Sequence, residues 1–229
     1  MSFKLLTSIL PKRGVPIGVG VSMGVDSIAA YLYLYRHGHN VIPIHFNHNL
    51  RPQNMFMQMR FVAFVKQISK DFGSSVTGYT NMVDDQIQSG SENECRNRRL
   101  EFFRSICTAN KIQHIVTGHH LNDYVESYLL NCLRGKAEHQ PIKLTTDFGE
   151  YKIIHPFLLN EKKRMEEYVD VYDGGKYLEF VVTDETNSVN KGSRRNWIRN
   201  IVVPELKSQQ ISLNKFCRNW IEKVVDRSV

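Results

Sequence analysis

The sequence predicts an α/β fold: a doubly wound, mainly parallel five-stranded sheet with a short helical appendage at its C-terminal end. Three observations carry this. Short β-branched apolar runs alternate with amphipathic stretches along most of the chain, joined by short polar turns. The first such run ends in a turn dense in small and polar residues that opens directly into a helix. From about residue 189 the chain becomes polar and basic, then helical. Two units are expected, 1–188 for the sheet domain and 189–229 for the appendage.

The elements follow in order. Ile17, Val19 and Val21 form the first strand, Ser22 to Ser27 the turn, and Ile28, Leu32 and Tyr35 recur at helical spacing after it. A second strand runs from Val41 to His48, with Pro43 in its middle, an unusual place for a residue without an N–H. Met57, Phe61, Phe64, Val65 and Ile68 mark an amphipathic helix. The stretch from Phe72 to Tyr79 is read as a short third strand. Ser91 and Glu94 have the spacing of a capping box, opening a helix whose buried stripe is Leu100, Phe103 and Cys107. His114 to Gly118 is a fourth strand, followed by a helix from His119 to Leu133. Tyr151 to Pro156 is the fifth strand, and another helix begins at Asn160.

Composition narrows the class. The chain has 229 residues, 41% of them hydrophobic, enough for one sizeable domain with a small appendage. No apolar run approaches the roughly 20 residues needed to span a bilayer, and the first ten residues are too short and polar for a signal peptide. Four widely spaced cysteines include no C-x-x-C pair, which disfavours a zinc ribbon or an iron–sulfur site. A cytoplasmic protein is expected, with no membrane association. The formal net charge of +7 points to a polyanionic partner.

In a doubly wound sheet, ligands bind at the carboxyl ends of the strands, and polar residues are concentrated there. The first strand delivers Ser22, Met23, Gly24, Val25, Asp26 and Ser27. The second delivers His45, Asn47, His48 and Arg51, and the fourth Thr117, Gly118, His119, His120, Asp123 and Glu126. A strand that turns into a helix aims backbone N–H groups and the positive end of the helix dipole at one point, which suits phosphate. The turn is not a Walker A loop, because no Lys-Ser or Lys-Thr pair follows its glycine. Simple helix capping by Ser22 or Asp26 is the competing reading. Asp123 and Glu126 lie three apart and share a helix face; they are either a solvated acidic face or a site for a cation. The four histidines lack cysteine neighbours and are read as hydrogen-bonding groups rather than metal ligands. Lys191, Arg194, Arg195 and Arg199 cluster around Trp197, a combination suited to unstacked bases. The alternative is a solvated helix face with Trp197 in the core.

The turn resembles the S-G-G-x-D-S loop of the PP-loop ATP pyrophosphatases, with Met23 where that superfamily usually has its first glycine. Four further blocks are similar to the tRNA(Ile)-lysidine synthetase family. His45-Phe-Asn-His-Asn-Leu-Arg51 resembles its H-x-N-H-x-L-R, and Cys95-Arg96-Asn-Arg-Arg99 its A-R-x-x-R. Thr117-Gly-His-His-Leu-Asn-Asp123-Tyr-Val-Glu126, running on to Arg134-Gly135, resembles its T-G-H-H-x-D-D-x-x-E block. Asp184-Glu-Thr-Asn187 and Arg195-Asn196-Trp-Ile-Arg199 resemble its D-x-[ST]-N and R-N-x-I-R. The blocks stand in family order from about residue 16 to 206. Asn122 replaces the first aspartate of the D-D pair, and Lys136 to Lys143 stands in place of a glycine-rich segment.

The resemblance implies a PP-loop fold in a compact, catalytic-domain-only form. It implies a ligase that forms a C–N bond: ATP adenylates the wobble cytidine of an isoleucine tRNA with a CAU anticodon, and free lysine displaces AMP. ATP and Mg2+ are the implied cofactors. Asp26, Asp123, Glu126 and Arg96 become the catalytic candidates, with Asp26 also orienting magnesium. Ser22, Met23, Gly24, Val25, Asp26, Ser27, His45, Asn47, Arg51, Thr117, Gly118 and His119 would hold ATP, and Arg134, Arg195, Asn196 and Arg199 tRNA. Two other readings stay open. One is a PP-loop enzyme that adenylates another tRNA base or a small substrate. The other is a non-catalytic tRNA- or nucleotide-binding relative.

Overall fold

The computed structural model describes residues 3–50, 52–81, 91–183 and 193–226. Its centre is one sheet of strands β1 (Ile17–Gly20), β2 (Val41–His45), β3 (Tyr79–Thr80), β4 (His114–Thr117), β5 (Thr145–Asp147) and β6 (Lys152–Ile154). Their order is β3-β2-β1-β4-β6-β5, and every pairing is parallel except the β5–β6 hairpin. The helices are α1 (Val25–Arg36), α2 (Pro52–Phe72), α3 (Glu92–Asn110), α4 (Leu121–Leu133), α5 (Lys162–Val171), α6 (Arg194–Trp197), α7 (Val203–Ser208) and α8 (Leu213–Asp226).

The sheet has six strands rather than the five expected. The additional one, β5, has the sequence Thr-Thr-Asp, too short and polar to show an alternating pattern. It pairs only at the sheet edge, through a turn in which Gly149 has φ +86° and donates its N–H to Asp147 Oδ1. The third strand is shorter than expected, because α2 continues to Phe72 and only Tyr79 and Thr80 pair with β2. That short edge also explains Pro43. The Ile44 carbonyl accepts the Val21 N–H on the β1 side, so Pro43 faces the opposite side, before β3 begins.

β1 has alternating sides. Ile17, Val19 and Val21 enter a core with α1, α2 and α5, whereas Gly18 and Gly20 face Ile44, Ile115 and Phe103 below α3. A Cβ on Gly18 would lie 2.8 Å from Ile44 Cδ1 and 3.2 Å from Ile115 Cγ1, so the glycine lets these side chains settle against the strand. Helices therefore cover both faces. A third core joins α4 to the C-terminal region: Leu121, Tyr124 and Val125 pack with Leu158, Cys217 and Ile221. Between α6 and α7 the helix widens into a π turn over Ile198–Val202, where the Val203 N–H reaches back to the Ile198 carbonyl. Pro204, which has no N–H to continue the regular ladder, follows immediately.

β1 and β4 are neighbours from which the chain winds in opposite directions, so the switch point of the sheet lies at their carboxyl ends. Met23 stands there with φ +66° and a fully buried side chain. Its carbonyl accepts the Val182 N–H at 2.8 Å. The left-handed conformation costs a non-glycine residue roughly 1–2 kcal/mol, and burial of a methionine side chain contributes roughly 1.5–3 kcal/mol. Burial thus offsets the strain. Met23→Gly is expected to relieve the backbone but lose more in packing, lowering stability by about 1–3 kcal/mol in urea unfolding; a variant more stable than the parent would refute this balance.

Candidate active site

The turn after β1 is held by its two serines. Ser27 Oγ accepts the Ser22 N–H at 3.1 Å, lies 3.3 Å from Ser22 Oγ and donates to the Gly24 carbonyl at 2.8 Å. Gly24 is the N-cap of α1 and offers no side-chain acceptor, so the helix opens toward the crevice with no side-chain cap. Asp26 is in its first turn. Asp26 Oδ1 is buried without a hydrogen-bond donor within ordinary reach among the described residues, and His120 Nε2 lies 3.5 Å from it. Gly118 brings β4 against this turn: a Cβ there would lie 2.7 Å from the Asp26 carbonyl oxygen and 2.9 Å from the Ser27 nitrogen. Both contacts are with backbone, which cannot move aside cheaply.

His120 joins two carboxylates. It is buried, with Nε2 toward Asp26 and Nδ1 3.3 Å from Asp123 Oδ2. It is also the N-cap of α4, in a capping box with Asp123: the Asp123 carboxylate accepts the His120 N–H at 3.1 Å, and His120 Nδ1 lies 3.4 Å from the Asp123 N–H. When neutral, the ring caps the helix through Nδ1; when protonated, it aims an N–H at each carboxylate. Burial opposes its charge, but Asp26, Asp123 and Glu126 outweigh burial and raise its pKa above the ordinary value. Asp123, conversely, is held below the usual carboxylate range: burial works against its charge, and His120, His119 and Arg195 overcome it.

Glu126 is one turn further along α4 with its side chain 5% exposed, so its charge needs partners. It has two. Arg199 grips it bidentately, with Nε 2.7 Å from Oε1 and Nη2 2.8 Å from Oε2. Arg195 donates from Nε to Oε2 at 2.9 Å and from Nη2 to Asp123 Oδ1 at 3.3 Å. Leu121 and Val125 are buried in the third core, so the carboxylates occupy the opposite side of α4, as their spacing implied.

The other expected positions divide. Thr117 and His119 lie in the crevice, and Thr117 Oγ1 is 2.7 Å from His119 Nδ1. His45 is buried on the β2 side, donating from Nδ1 to the Val21 carbonyl and stacking on Phe61. Asn47 is committed internally: its amide meets Gln58 and the Asn49 N–H, and its backbone is clasped by Asn81. This pattern braces the loop after β2. Arg96 and Arg99 are exposed on α3, and among the described residues neither forms an ion pair. The Arg99 charge reaches the loop after β2 all the same. After burial, it is the largest influence holding the His48 pKa down to about 4. Asn196 is half-buried beside Arg195, whereas Arg134 ends α4 two turns beyond Glu126 and stands outside the cluster. Arg51, the Asp184–Asn187 block and Lys191 lie outside the described residues. Trp197 is 43% exposed, so it is not a core residue.

A PP-loop domain family model matches residues 2–206. The chain belongs to the PP-loop domain family. It is 29% identical over 198 residues to the tRNA(Ile)-lysidine synthase of Exiguobacterium sibiricum, a match covering 86% of this chain and 44% of that protein. It is 30% identical over 218 residues to the tRNA(Ile)-lysidine synthase of Bacillus subtilis, covering 90% and 43%. The chain thus spans less than half the length of these relatives. Among solved structures it shares its fold with the U34-tRNA thiolase NcsA from Methanococcus maripaludis, at a TM-score of 0.65 and 15% identity, over 94% of this chain and 74% of that one.

In this PP-loop protein the sequence patterns left two site features unread. His120 was noted as a hydrogen-bonding residue, but its place between Asp26 and Asp123 becomes visible only when β1 and β4 pair; the H-x-x-D capping spacing was its only local signal. The sequence pattern shows His155 only as part of a strand, whereas its Nδ1 lies 2.6 Å from Thr117 Oγ1.

Two outcomes are expected. His120 has a raised folded pKa, so its protonation stabilises the protein fully below the unfolded value near 6.5, and that contribution disappears as pH rises through the folded pKa. The stability gap between the parent and His120→Asn is therefore expected to be wider at roughly pH 6 than at roughly pH 9 in urea titrations; an equal gap would refute it. Removing both arginines of the Glu126 cluster leaves a buried carboxylate uncompensated. Arg195→Ala combined with Arg199→Ala is expected to lower stability by about 3–5 kcal/mol and to speed hydrogen exchange of the Trp197 and Ile198 amides, which bond back to the Ser193 and Arg194 carbonyls. Unchanged protection there would contradict the pairing.

Proposed function

We propose that this chain catalyses ATP-dependent modification of a tRNA base and, within that class, joins lysine to the wobble cytidine of an isoleucine tRNA with a CAU anticodon. One observation supports this above the others. The PP-loop carboxylate Asp26 and the α4 carboxylates Asp123 and Glu126 belong to one crevice, linked through His120, in a chain whose matched relatives are tRNA(Ile)-lysidine synthases.

In this reading Ser22, Met23, Gly24, Val25 and Ser27 hold the pyrophosphate of ATP through hydroxyl and backbone N–H groups. The open N-terminus of α1 and the Asp26 carboxylate, whose Oδ1 lies 3.5 Å from His120 Nε2, suit a phosphate with its divalent cation. Asp26 would be the protein carboxylate that holds a magnesium ion there, and the ion would supply positive charge to neutralise the phosphates. Thr117, Gly118 and His119 wall the nucleotide on the β4 side, and His45 and Asn47 shape the β2 side. Arg96 on α3 offers an uncommitted cation for charge that develops on leaving groups.

Asp123 and Glu126 lie beside Arg195 and Arg199, so carboxylates and guanidiniums alternate within a few ångströms. A free amino acid carries both signs of charge and fits such a lining. The carboxylates would hold an ammonium and an arginine the carboxylate of lysine. Cytosine O2 takes the adenylyl group with loss of pyrophosphate, and the lysine ε-amine then forms the C–N bond as AMP leaves. The protein's part is chiefly positioning and charge stabilisation. Arg195 and Arg199 point toward carboxylates, so in this reading Asn196, the exposed Arg194 and Trp197, and Arg134 provide the tRNA-facing surface.

The test is direct. The purified chain is incubated with a CAU-anticodon tRNA transcript, ATP, magnesium and isotopically labelled lysine. Lysine-dependent AMP release and a nucleoside whose mass equals cytidine plus lysine minus water are expected. Modification of another base, or ATP turnover indifferent to lysine, would refute the lysine assignment.

A further inference from the structure

Thr117, His119 and His155 form a hydrogen-bonded row. Thr117 ends β4, and the β4–β6 register, with Val116 opposite Ile154, brings His155 beside it. Thr117 Oγ1 lies 2.7 Å from His119 Nδ1 and 2.6 Å from His155 Nδ1, and the two rings meet edge to face at 4.8 Å. A hydroxyl has one proton to donate. It therefore donates to one Nδ1 and accepts from the other, and two neutral imidazoles on it must be opposite tautomers. Only one arrangement leaves His119 with a free proton acceptor: His119 Nδ1–H donates to Thr117, Thr117 donates to a bare His155 Nδ1, and His119 Nε2 carries the lone pair. Burial holds the His119 pKa below the ordinary value; of the charged groups that act on it, Asp123 raises the pKa, and Arg195, His120 and Arg99 lower it.

We propose that His155 is a positioning residue that, through the Thr117 hydroxyl, locks His119 as the Nδ1–H tautomer so that its Nε2 accepts the proton released by the attacking amine. This rests on the lysine-transfer reading above. In that step the amine nitrogen bonds to cytosine C2, and the C2–O bond breaks with its electron pair leaving on AMP. The displaced N–H proton passes to His119 Nε2. The resulting imidazolium is steadied by Thr117 Oγ1 and by Asp123. Burial pushes the His155 pKa down to about 3, so the ring stays neutral across the working pH range and keeps one bare nitrogen, which in this arrangement is Nδ1. It is also 92% buried, and its own backbone N–H is fixed to the Leu144 carbonyl, so the row has little freedom to rearrange.

The experiment has two arms on the full chain. Long-range proton–nitrogen correlation spectra of histidine-labelled protein are expected to give His119 as the Nδ1–H and His155 as the Nε2–H tautomer. The reverse pattern would overturn the proposal without reference to any activity. In the second arm, single-turnover lysine transfer is compared with pyrophosphate release for His155→Phe and His155→Gln. Phe removes the acceptor and is expected to slow lysine transfer about 100-fold, while pyrophosphate release stays within about threefold of the parent. Gln presents an amide oxygen to the same hydroxyl and is expected to restore most of the rate. Equal loss of both steps in both variants would make His155 merely structural. If the parent itself transfers no lysine, the function assigned above fails, while the tautomer spectra still decide the hydrogen-bond row.

Discussion

A buried carboxylate cannot stand alone, and much of this molecule is arranged around Glu126. Removing an ionised carboxylate from water costs several kcal/mol unless charged donors replace the solvent. Here the replacement comes from Arg195 and Arg199, some seventy positions away in the chain. Their engagement fixes α6 across α4. The same helix leads into the π turn and, through α7 and α8, into the apolar cluster on the other side of α4. One face of α4 is thus held by charge and the other by packing. The C-terminal helices are thus joined to α4 on both of its sides.

From Glu126 the charges run on toward the turn after β1. Arg195 spans Glu126 and Asp123, Asp123 faces His120, and His120 faces Asp26 at the first turn of α1. Positive and negative groups alternate along this path, so a change at one member is felt at the next. His120 is the member most responsive to pH, because it exchanges a capping role for a bridging one when it takes a proton. His48 and His155 behave in the opposite sense. Burial keeps both neutral, so their uptake of protons in acid would favour the unfolded chain.

The close approach of β4 to α1 makes this path short. Gly118 permits it, since any Cβ would strike the Asp26 backbone. Met23 meets the demand of the turn differently. It takes a left-handed conformation that glycine would adopt freely, and its buried side chain anchors the turn in the core. A loop normally made of small residues is here fastened from beneath. Above it, Ser27 Oγ pins the backbone of Ser22 and Gly24.

Much of this arrangement was legible in local pattern. Alternation with period two and recurrence with period 3.6 marked the main strands and helices, and the winding of the sheet followed from their order. Glycine, serine and aspartate in the turn after β1 marked the loop, and polar residues at successive strand ends marked its neighbours. These signals survive because each is set by contacts within a few residues. The β5 hairpin left no such trace, being three polar residues at an edge. The inward turn of Arg195 and Arg199 was equally invisible, since a basic helix bound for an anionic partner and one bound for an internal carboxylate read alike. The same holds for His155, whose meeting with Thr117 exists only through the β4–β6 register. Periodicity along the chain decides which residues form an element and which face is buried. Which charges neutralise one another is decided only when distant elements come within a few ångströms, because the Coulomb and desolvation terms that choose the partners act through space and leave no period in the sequence.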